Sequence, residues 1–140
     1  KDERKLFYQI IKKKKNIVLT PHKGEFNRLF NESEESKLQN CIKASRLINN
    51  SIVYKGNDTV VCFKGENLWI NHNATERLAT AGTGDILCGL ISGLIAQKMN
   101  FRKAILAGVY ILGELSQIKK NFIAEDFISS VSKILLKLKK

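Results

Sequence analysis

An α/β layer architecture with a mainly parallel sheet is the fold class this sequence predicts, and three observations carry it. Short β-prone runs alternate with longer stretches of helical periodicity. Turn residues punctuate the joints, with no low-complexity linkers and no repeats. Three long apolar helical stretches then crowd the C-terminal end, leaving about four strands where open sheets usually hold five or six. The sheet therefore reads as incomplete, to be completed by strands from a missing N-terminal region or another chain.

The first stretch, Asp2 to Lys15, is a charged helix with Leu6, Phe7, Ile10 and Ile11 at helical spacing. Asn16 to Thr20 is β-prone and stops at Pro21, which has no amide proton for a ladder. Gly24 to Phe30 turns helical. Ser33 to Asn50 repeats that period, with Leu38, Cys41, Ile42, Ser45 and Ile48 on one face and Ser33, Glu34, Glu35 and Ser36 as an acidic, capping N-terminus. Ser51 to Tyr54 is a strand, Lys55 to Thr59 a turn, and Val60 to Phe63 a strand again. Lys64 to Asn67 turns the chain into Leu68–Ile70 as a hairpin partner, and a loop follows from Asn71 to Thr80. Apolar helices are expected over Ile86 to Gln97, Arg102 to Lys119 and Glu125 to Lys137.

The 140 residues, 44% of them apolar, suffice for one core but not two, so residues 1–140 are expected to be one domain or part of one. The chain opens on Lys1 rather than Met, as a fragment would. A signal peptide and a bilayer span both need apolar segments this sequence lacks, which predicts a soluble, cytoplasmic protein with no membrane partner. Cys41, Cys62 and Cys88 have no CxxC spacing and each falls in an apolar pattern, so buried free thiols are expected and no metal site. The net charge of +11 suits an anionic ligand. The lysines are dispersed over Lys12–Lys15, Lys119–Lys120 and Lys133–Lys140 without interleaved aromatics, which argues against a nucleic-acid partner.

Ala81 to Asp85 is the strongest local chemical signal. Gly82 and Gly84 around Thr83 allow close backbone approach, and the apolar run that follows places their amides at a helix N-terminus, where free donors and the macrodipole attract anions. Asp85 in the first turn could take a proton from a hydroxyl while the amides hold phosphoryl oxygens. The plainer alternative is a tight turn with Asp85 as a cap. The helix looks apolar on nearly every side, with Gly89 and Gly93 spaced for close packing, and so should bring Asp85 to the interior or a cleft.

Thr20 to Glu25 lies at the carboxyl end of a predicted strand, where open α/β sheets build their sites. There His22 can hydrogen-bond a ligand and Glu25 can reach it or a cation; alternatively Pro21 and Gly24 punctuate an ordinary turn. At the next strand end Lys55 offers charge, Gly56 backbone access, and Asn57, Asp58 and Thr59 polar groups, or these residues simply turn the chain. His72 lies in a polar loop and carries no assignment.

Three segments, Leu19-Thr-Pro-His-x-Gly-Glu-Phe26, Lys55-Gly-x-x-Thr-Val60 and Leu78-Ala-Thr-x-Gly-Thr-Gly-Asp-Ile-Leu-x-Gly89 running on to Gln97, resemble the NAD(P)H-hydrate dehydratases, the YjeF C-terminal domain family. The resemblance implies a ribokinase-like three-layer fold of which this chain is the C-terminal half, since such domains run to roughly 250 residues. It implies a lyase in which ADP or ATP, with Mg2+, phosphorylates the ring hydroxyl of hydrated NADH or NADPH, after which phosphate leaves. By position His22, Glu25 and Asp85 would contact the hydrate, with Asp85 as catalytic base. Lys55, Gly56, Asn57, Asp58, Thr59, Gly82, Thr83 and Gly84 would hold the nucleotide.

The sequence departs from the family at Lys23, where proline is usual, at Ala81, where glycine is usual, at Thr75–Arg77 and at Leu112, where a histidine is common. None of these removes a reacting group. The competing readings are an inactive nucleotide-binding remnant or half of a split enzyme, which would need a homo-oligomer or a complementing N-terminal half, and a small-molecule kinase of the same fold.

Overall fold

The computed structural model describes residues 2–79, 82–118 and 124–138. Thr80, Ala81 and the Lys119–Lys120 pair lie outside the described residues, as do Lys139 and Lys140. The chain forms two compact units, Lys1–Ile70 and Asn71–Lys140.

The first unit is a small α/β layer. Its elements are α1 (Asp2–Lys12), β1 (Val18–Leu19), α2 (Lys23–Phe30), α3 (Lys37–Ile48), β2 (Ser51–Tyr54), β3 (Thr59–Phe63) and β4 (Asn67–Asn71). The strands lie in the order β1-β2-β3-β4. β1 runs parallel to β2, with Val18 opposite Ser51, because α2 and α3 form the crossover between them. β2 and β3 are antiparallel, with Ile52 opposite Cys62 and Tyr54 opposite Val60. A connection as short as Lys55–Asp58 can only return the chain alongside itself. The α/β expectation holds, and the sheet of this unit is mixed.

One face of the sheet packs under the helices. Ile52, Tyr54, Val60 and Cys62 share a core with Ile11 of α1, Phe26 of α2 and Cys41, Ala44 and Ile48 of α3. Alternation puts Val53, Val61 and Phe63 on the opposite face, and they too are buried.

α1 stops at Lys12 rather than Lys15. A side chain closes its end: Asn50 Nδ2 donates to Ile11 O at 2.9 Å, which also accepts from Lys14 N, and to Lys14 O beyond the helix at 3.1 Å. Asn50 Oδ1 accepts from Ile17 N at 3.2 Å, and Asn16 takes a left-handed φ of 59°, which confines the paired strand to Val18–Leu19. Of the expected apolar face of α1, Ile11 is buried and Phe7 half-buried. Leu6 and Ile10 stay 57% and 50% exposed, because the inward stripe runs through Phe7, Tyr8 and Ile11.

α3 starts at Lys37, with Ser36 Oγ accepting from Gln39 N at 3.3 Å. Ser33 is drawn off to Asn40, whose Oδ1 accepts from both its backbone N–H and its hydroxyl.

The second unit, from Asn71 onward, is helical: a 3-10 turn (Glu76–Ala79), α4 (Thr83–Ala96), α5 (Phe101–Ser116) and α6 (Ala124–Leu138). α5 packs against α4, α6 and the 3-10 turn. A Cβ on Gly108 would stand 2.7 Å from Ile91 Cγ1, so this glycine sets the approach of α4 and α5. Asn73 clips the preceding loop to α5, its Nδ2 donating to Tyr110 O at 3.1 Å and Glu114 Oε1 at 3.2 Å. Leu112 is buried, a packing position.

α4 departs from expectation. Only Thr83, Leu87 and Ile91, one i, i+4 row, are buried. Cys88, Gly89, Gly93 and Ile95 are exposed, and a Cβ on Gly89 or Gly93 would meet nothing within 4 Å. Neither glycine serves close packing here, and the buried-thiol expectation holds for Cys41 and Cys62 but not for Cys88. Among the described residues no helix is long and apolar enough to cross a membrane.

Candidate functional site

His22 ends the segment after β1 and becomes the N-cap of α2. Its Nδ1 accepts from Gly24 N at 3.0 Å and Glu25 N at 3.3 Å, while Glu25 Oε2 accepts from His22 N at 2.8 Å, a reciprocal capping box. Gly24 leaves room for the folded-back imidazole, since a Cβ there would stand 3.1 Å from His22 Cε1. With its Nδ1 lone pair committed to two amides, the neutral ring carries its proton on Nε2. That nitrogen lies 3.5 Å from Glu25 Oε1 on an exposed edge. Lys23 occupies the first helical position, where the family's proline fits as well.

Lys55 joins this pair. Its backbone N–H donates to Pro21 O at 2.9 Å, tying the end of β2 to the segment after β1, and its ammonium stands 3.8 Å from Glu25 Oε2. The His22 amide holds the Glu25 carboxyl below its ordinary value; slight burial opposes this, and the nearby Lys55 and Arg28 charges act in the same direction as the amide.

The turn after β2 is built from its own side chains. Gly56 N donates to Thr59 Oγ1 at 3.3 Å, and that hydroxyl donates to Gly56 O at 2.9 Å. Thr59 is buried, so its hydroxyl shapes the turn from within. Asp58 faces Lys37, a residue the sequence reading passed over, whose Nζ donates to Asp58 O at 2.7 Å and Asp58 Oδ1 at 2.8 Å. These bonds hold the Asp58 carboxyl below its ordinary value. Asn57 is exposed at the tip. The one available signal for Lys37 was its place directly after the Ser36 cap, at a helix start facing the strand ends.

Both lowered carboxyls bind fewer protons folded than unfolded, so stability rises with pH through their range. Their contribution is complete above the ordinary Glu and Asp values of 4.5 and 3.8 and is lost as pH falls through the lower folded values. Urea midpoints should therefore be level above about pH 5 and decline toward about pH 3. The double variant Glu25→Gln, Asp58→Asn should flatten that decline, and an equally steep one would show that other groups cause it.

In the second unit Gly82 caps α4 with φ 88°, a torsion that favours glycine, and among the described residues no side chain makes a capping hydrogen bond to the helix. The amides of Asp85 and Ile86 return to Gly82 O, each at 3.1 Å. Thr83 is buried and its hydroxyl donates to Leu78 O at 2.8 Å, which fastens the helix start to the 3-10 turn. Gly84 is half-buried. Asp85 is exposed in the first turn and does not cap the helix. Of the interior or cleft expected for Asp85, the interior is ruled out, because the helix that carries it is itself buried along only one stripe.

His22, Glu25 and Lys55 are brought together, and Gly56, Asp58 and Thr59 form a second cluster around Lys37 at the same strand end. Gly82 to Asp85 form their own group in the second unit. His72 is exposed and outside these clusters. Among the described residues, no three His, Cys, Asp or Glu side chains are placed to hold a metal ion.

Comparison with known proteins gives this arrangement a context. The sequence model of the NAD(P)H-hydrate dehydratase family matches residues 3–136. An ADP-dependent (S)-NAD(P)H-hydrate dehydratase of Bacillus subtilis is 33% identical over 106 residues, 73% of this chain and 38% of that protein. A bifunctional NAD(P)H-hydrate repair enzyme Nnr of Thermosynechococcus vestitus is 42% identical over 96 residues, 66% of this chain and 19% of that protein.

Among solved structures, the ADP/ATP-dependent NAD(P)H-hydrate dehydratase of Bacillus subtilis, co-crystallised with ATP and Mg2+ and soaked with CoA, superposes with a TM-score of 0.79 at 28% identity. The match covers 86% of this chain and 48% of that one. A ribokinase-like superfamily protein of Enterococcus faecalis gives a TM-score of 0.76 at 25% identity, covering 96% and 50%. The fold class is therefore α/β and ribokinase-like, and the chain spans half or less of the length of these relatives. Because the match runs from the first helix to the last and takes in all three chemical segments, the chain belongs to the NAD(P)H-hydrate dehydratase family.

Proposed function

We propose that this chain supplies the C-terminal half of an ADP- or ATP-dependent NAD(P)H-hydrate dehydratase, residues 1–140 being part of one domain and acting in the cytoplasm. The observation that carries the reading is the start of α4: an αL glycine at the cap, no side-chain hydrogen bond capping the helix among the described residues, and the Asp85 carboxylate in the first turn. Amides at such an end favour the charge that grows on a phosphoryl group in transfer.

In the proposed reaction Asp85 takes the proton of the ring hydroxyl as its oxygen bonds to the terminal phosphorus of ATP or ADP. The bond from that phosphorus to the rest of the nucleotide breaks, releasing ADP or AMP. The ring C–O bond then breaks, inorganic phosphate leaves, and a proton lost from the adjacent ring carbon restores the dihydronicotinamide double bond. Gly82 to Gly84 would hold phosphoryl oxygens through their backbone, with the Thr83 hydroxyl locked inward. The turn Lys55–Thr59 would present backbone and the Lys55 charge to the nucleotide. His22 would offer its Nε2–H to the hydrate, with Glu25 fixing the ring.

Mg2+ would neutralise charge on the phosphate oxygens. The few acidic side chains near these segments suit an ion carried by nucleotide and water, since Mg2+ in nucleotide sites uses one or two carboxylates at most and needs no protein cage.

A second reading, half of an enzyme that needs a partner, is favoured by the exposed Gly89, Gly93 and Ile95 of the otherwise apolar α4. The complementing N-terminal half, or a second copy, would then cover them.

Hydrated NADH or NADPH incubated with the chain and ADP or ATP should regain its dihydronicotinamide absorbance in proportion to nucleotide. The same mixture with the complementing half added separates the two readings: recovery only on addition supports the second. Folded protein that gives no recovery in either mixture would sink both.

A further inference from the structure

Lys37 lies outside all three of the segments that carry the family resemblance, yet it makes two hydrogen bonds to the turn assigned to the nucleotide. It stands at the first position of α3 and reaches across to the Lys55–Thr59 connection, donating to the Asp58 carbonyl at 2.7 Å and the Asp58 carboxylate at 2.8 Å. Its ammonium lies 4.8 Å from the centroid of the Tyr54 ring, and its side chain is only 21% exposed. Tyr54 is itself held, its hydroxyl donating to Glu32 Oε1 at 2.6 Å, so the platform under the ammonium is rigid. A Cβ on Gly56 would stand 2.5 Å from Lys37 Nζ, so a side chain at Gly56 would make the ammonium shift.

The charge balance of the turn gives this contact a purpose. A turn that receives nucleotide phosphates carries a carboxylate, Asp58, whose charge would repel them. Lys37 pairs that carboxylate and at the same time holds the Asp58 carbonyl. Lys55 is drawn toward Glu25, so it is not the cation that neutralises Asp58. We propose that Lys37 is a positioning residue for the nucleotide: it neutralises Asp58 and sets the backbone of residues 56–58, so that the turn can accept the phosphates of ADP or ATP. This rests on the function proposed above.

The test is calorimetric titration of the full chain, and of the chain with its complementing half, with ADP, AMP and adenosine. Lys37→Met keeps the stem over Tyr54 and removes the charge. It should weaken ADP binding by about tenfold, the size of one charge-assisted interaction, and weaken adenosine binding far less. Lys37→Arg should stay close to wild type. Replacing Asp58 by Asn in the Lys37→Met background should restore most of the lost ADP affinity, because the unpaired carboxylate is gone; a lysine that served only as a structural brace would show no such rescue. Equal losses for ADP and adenosine, no loss at all, or no rescue in the double variant would each overturn the proposal. A wild-type chain that binds no ADP in either form would instead remove the functional reading and this inference with it.

Discussion

Asp85→Asn should lower nucleotide-dependent dehydration by about 10²- to 10⁴-fold, the range that separates a positioned general base from its absence. The amide keeps the shape and the hydrogen-bonding reach of the carboxylate but cannot take the hydroxyl proton. Because Asp85 is exposed and does not cap the helix, its cost to folding should be small. The loss of a negative charge beside a helix N-terminus is worth about 0.3–1 kcal/mol. Activity and stability are therefore expected to separate: dehydration collapses while the thermal melt barely moves and ADP still binds. The measurement is initial rate under saturating nucleotide, beside a melting curve of the same preparation. A variant that kept a rate within a few-fold of wild type would remove Asp85 from the chemistry and return it to the role of a first-turn acid favoured by the dipole.

The largest expected effect on stability comes from Phe26→Ala, about 3–5 kcal/mol. Phe26 directly follows Glu25 and is 1% exposed. Its ring stacks on Tyr54 with centroids 4.1 Å apart and planes 2° from parallel, and it meets Phe30 at 5.0 Å. Truncation would empty the centre of the first unit's core and leave Tyr54, which supports Lys37, without its stacking partner. A loss of this size is a large share of the roughly 5–15 kcal/mol that holds most domains together. Phe26→Leu, which fills much of the space, should cost markedly less. Urea denaturation gives both values. A loss under about 1 kcal/mol for the alanine variant would mean that the site collapses around the gap. The same variant should also loosen the His22 cap, since Phe26 is what pins the first turn of α2 to the sheet.

Local pattern reached quite far in this chain. The strand Ser51–Tyr54 was legible to the residue because a helical pattern ends at Asn50 before it and turn residues, Lys55 to Thr59, follow it. α5 and α6 were legible because apolar residues recur at helical spacing over many turns, and the glycine-rich start of α4 because its residue types have few other uses. Boundaries were less legible. Ser33 and Ser36 look equally fit to cap α3, and only the diversion of Ser33 to Asn40 decides between them. Asn50 read as the end of a helical stretch, yet it bonds Ile11 across 39 positions of sequence and closes α1. Nor could periodicity say which apolar faces are covered. α4 is apolar almost all round, but burial needs an opposing element, and only the Thr83, Leu87 and Ile91 row is buried.

The sequence by itself determined the α/β class, the order of the elements and the three segments where chemistry collects, because propensity, turn geometry and motif spacing act between near neighbours in the chain. Tertiary structure alone decided that Asp85 is exposed, that the Thr59 and Thr83 hydroxyls turn inward, and that Lys37 crosses 21 positions to reach Asp58. Hydrogen bonds and charge pairs of that range leave no periodic trace, since they depend on where the chain has been brought in space rather than on what lies beside each residue in sequence.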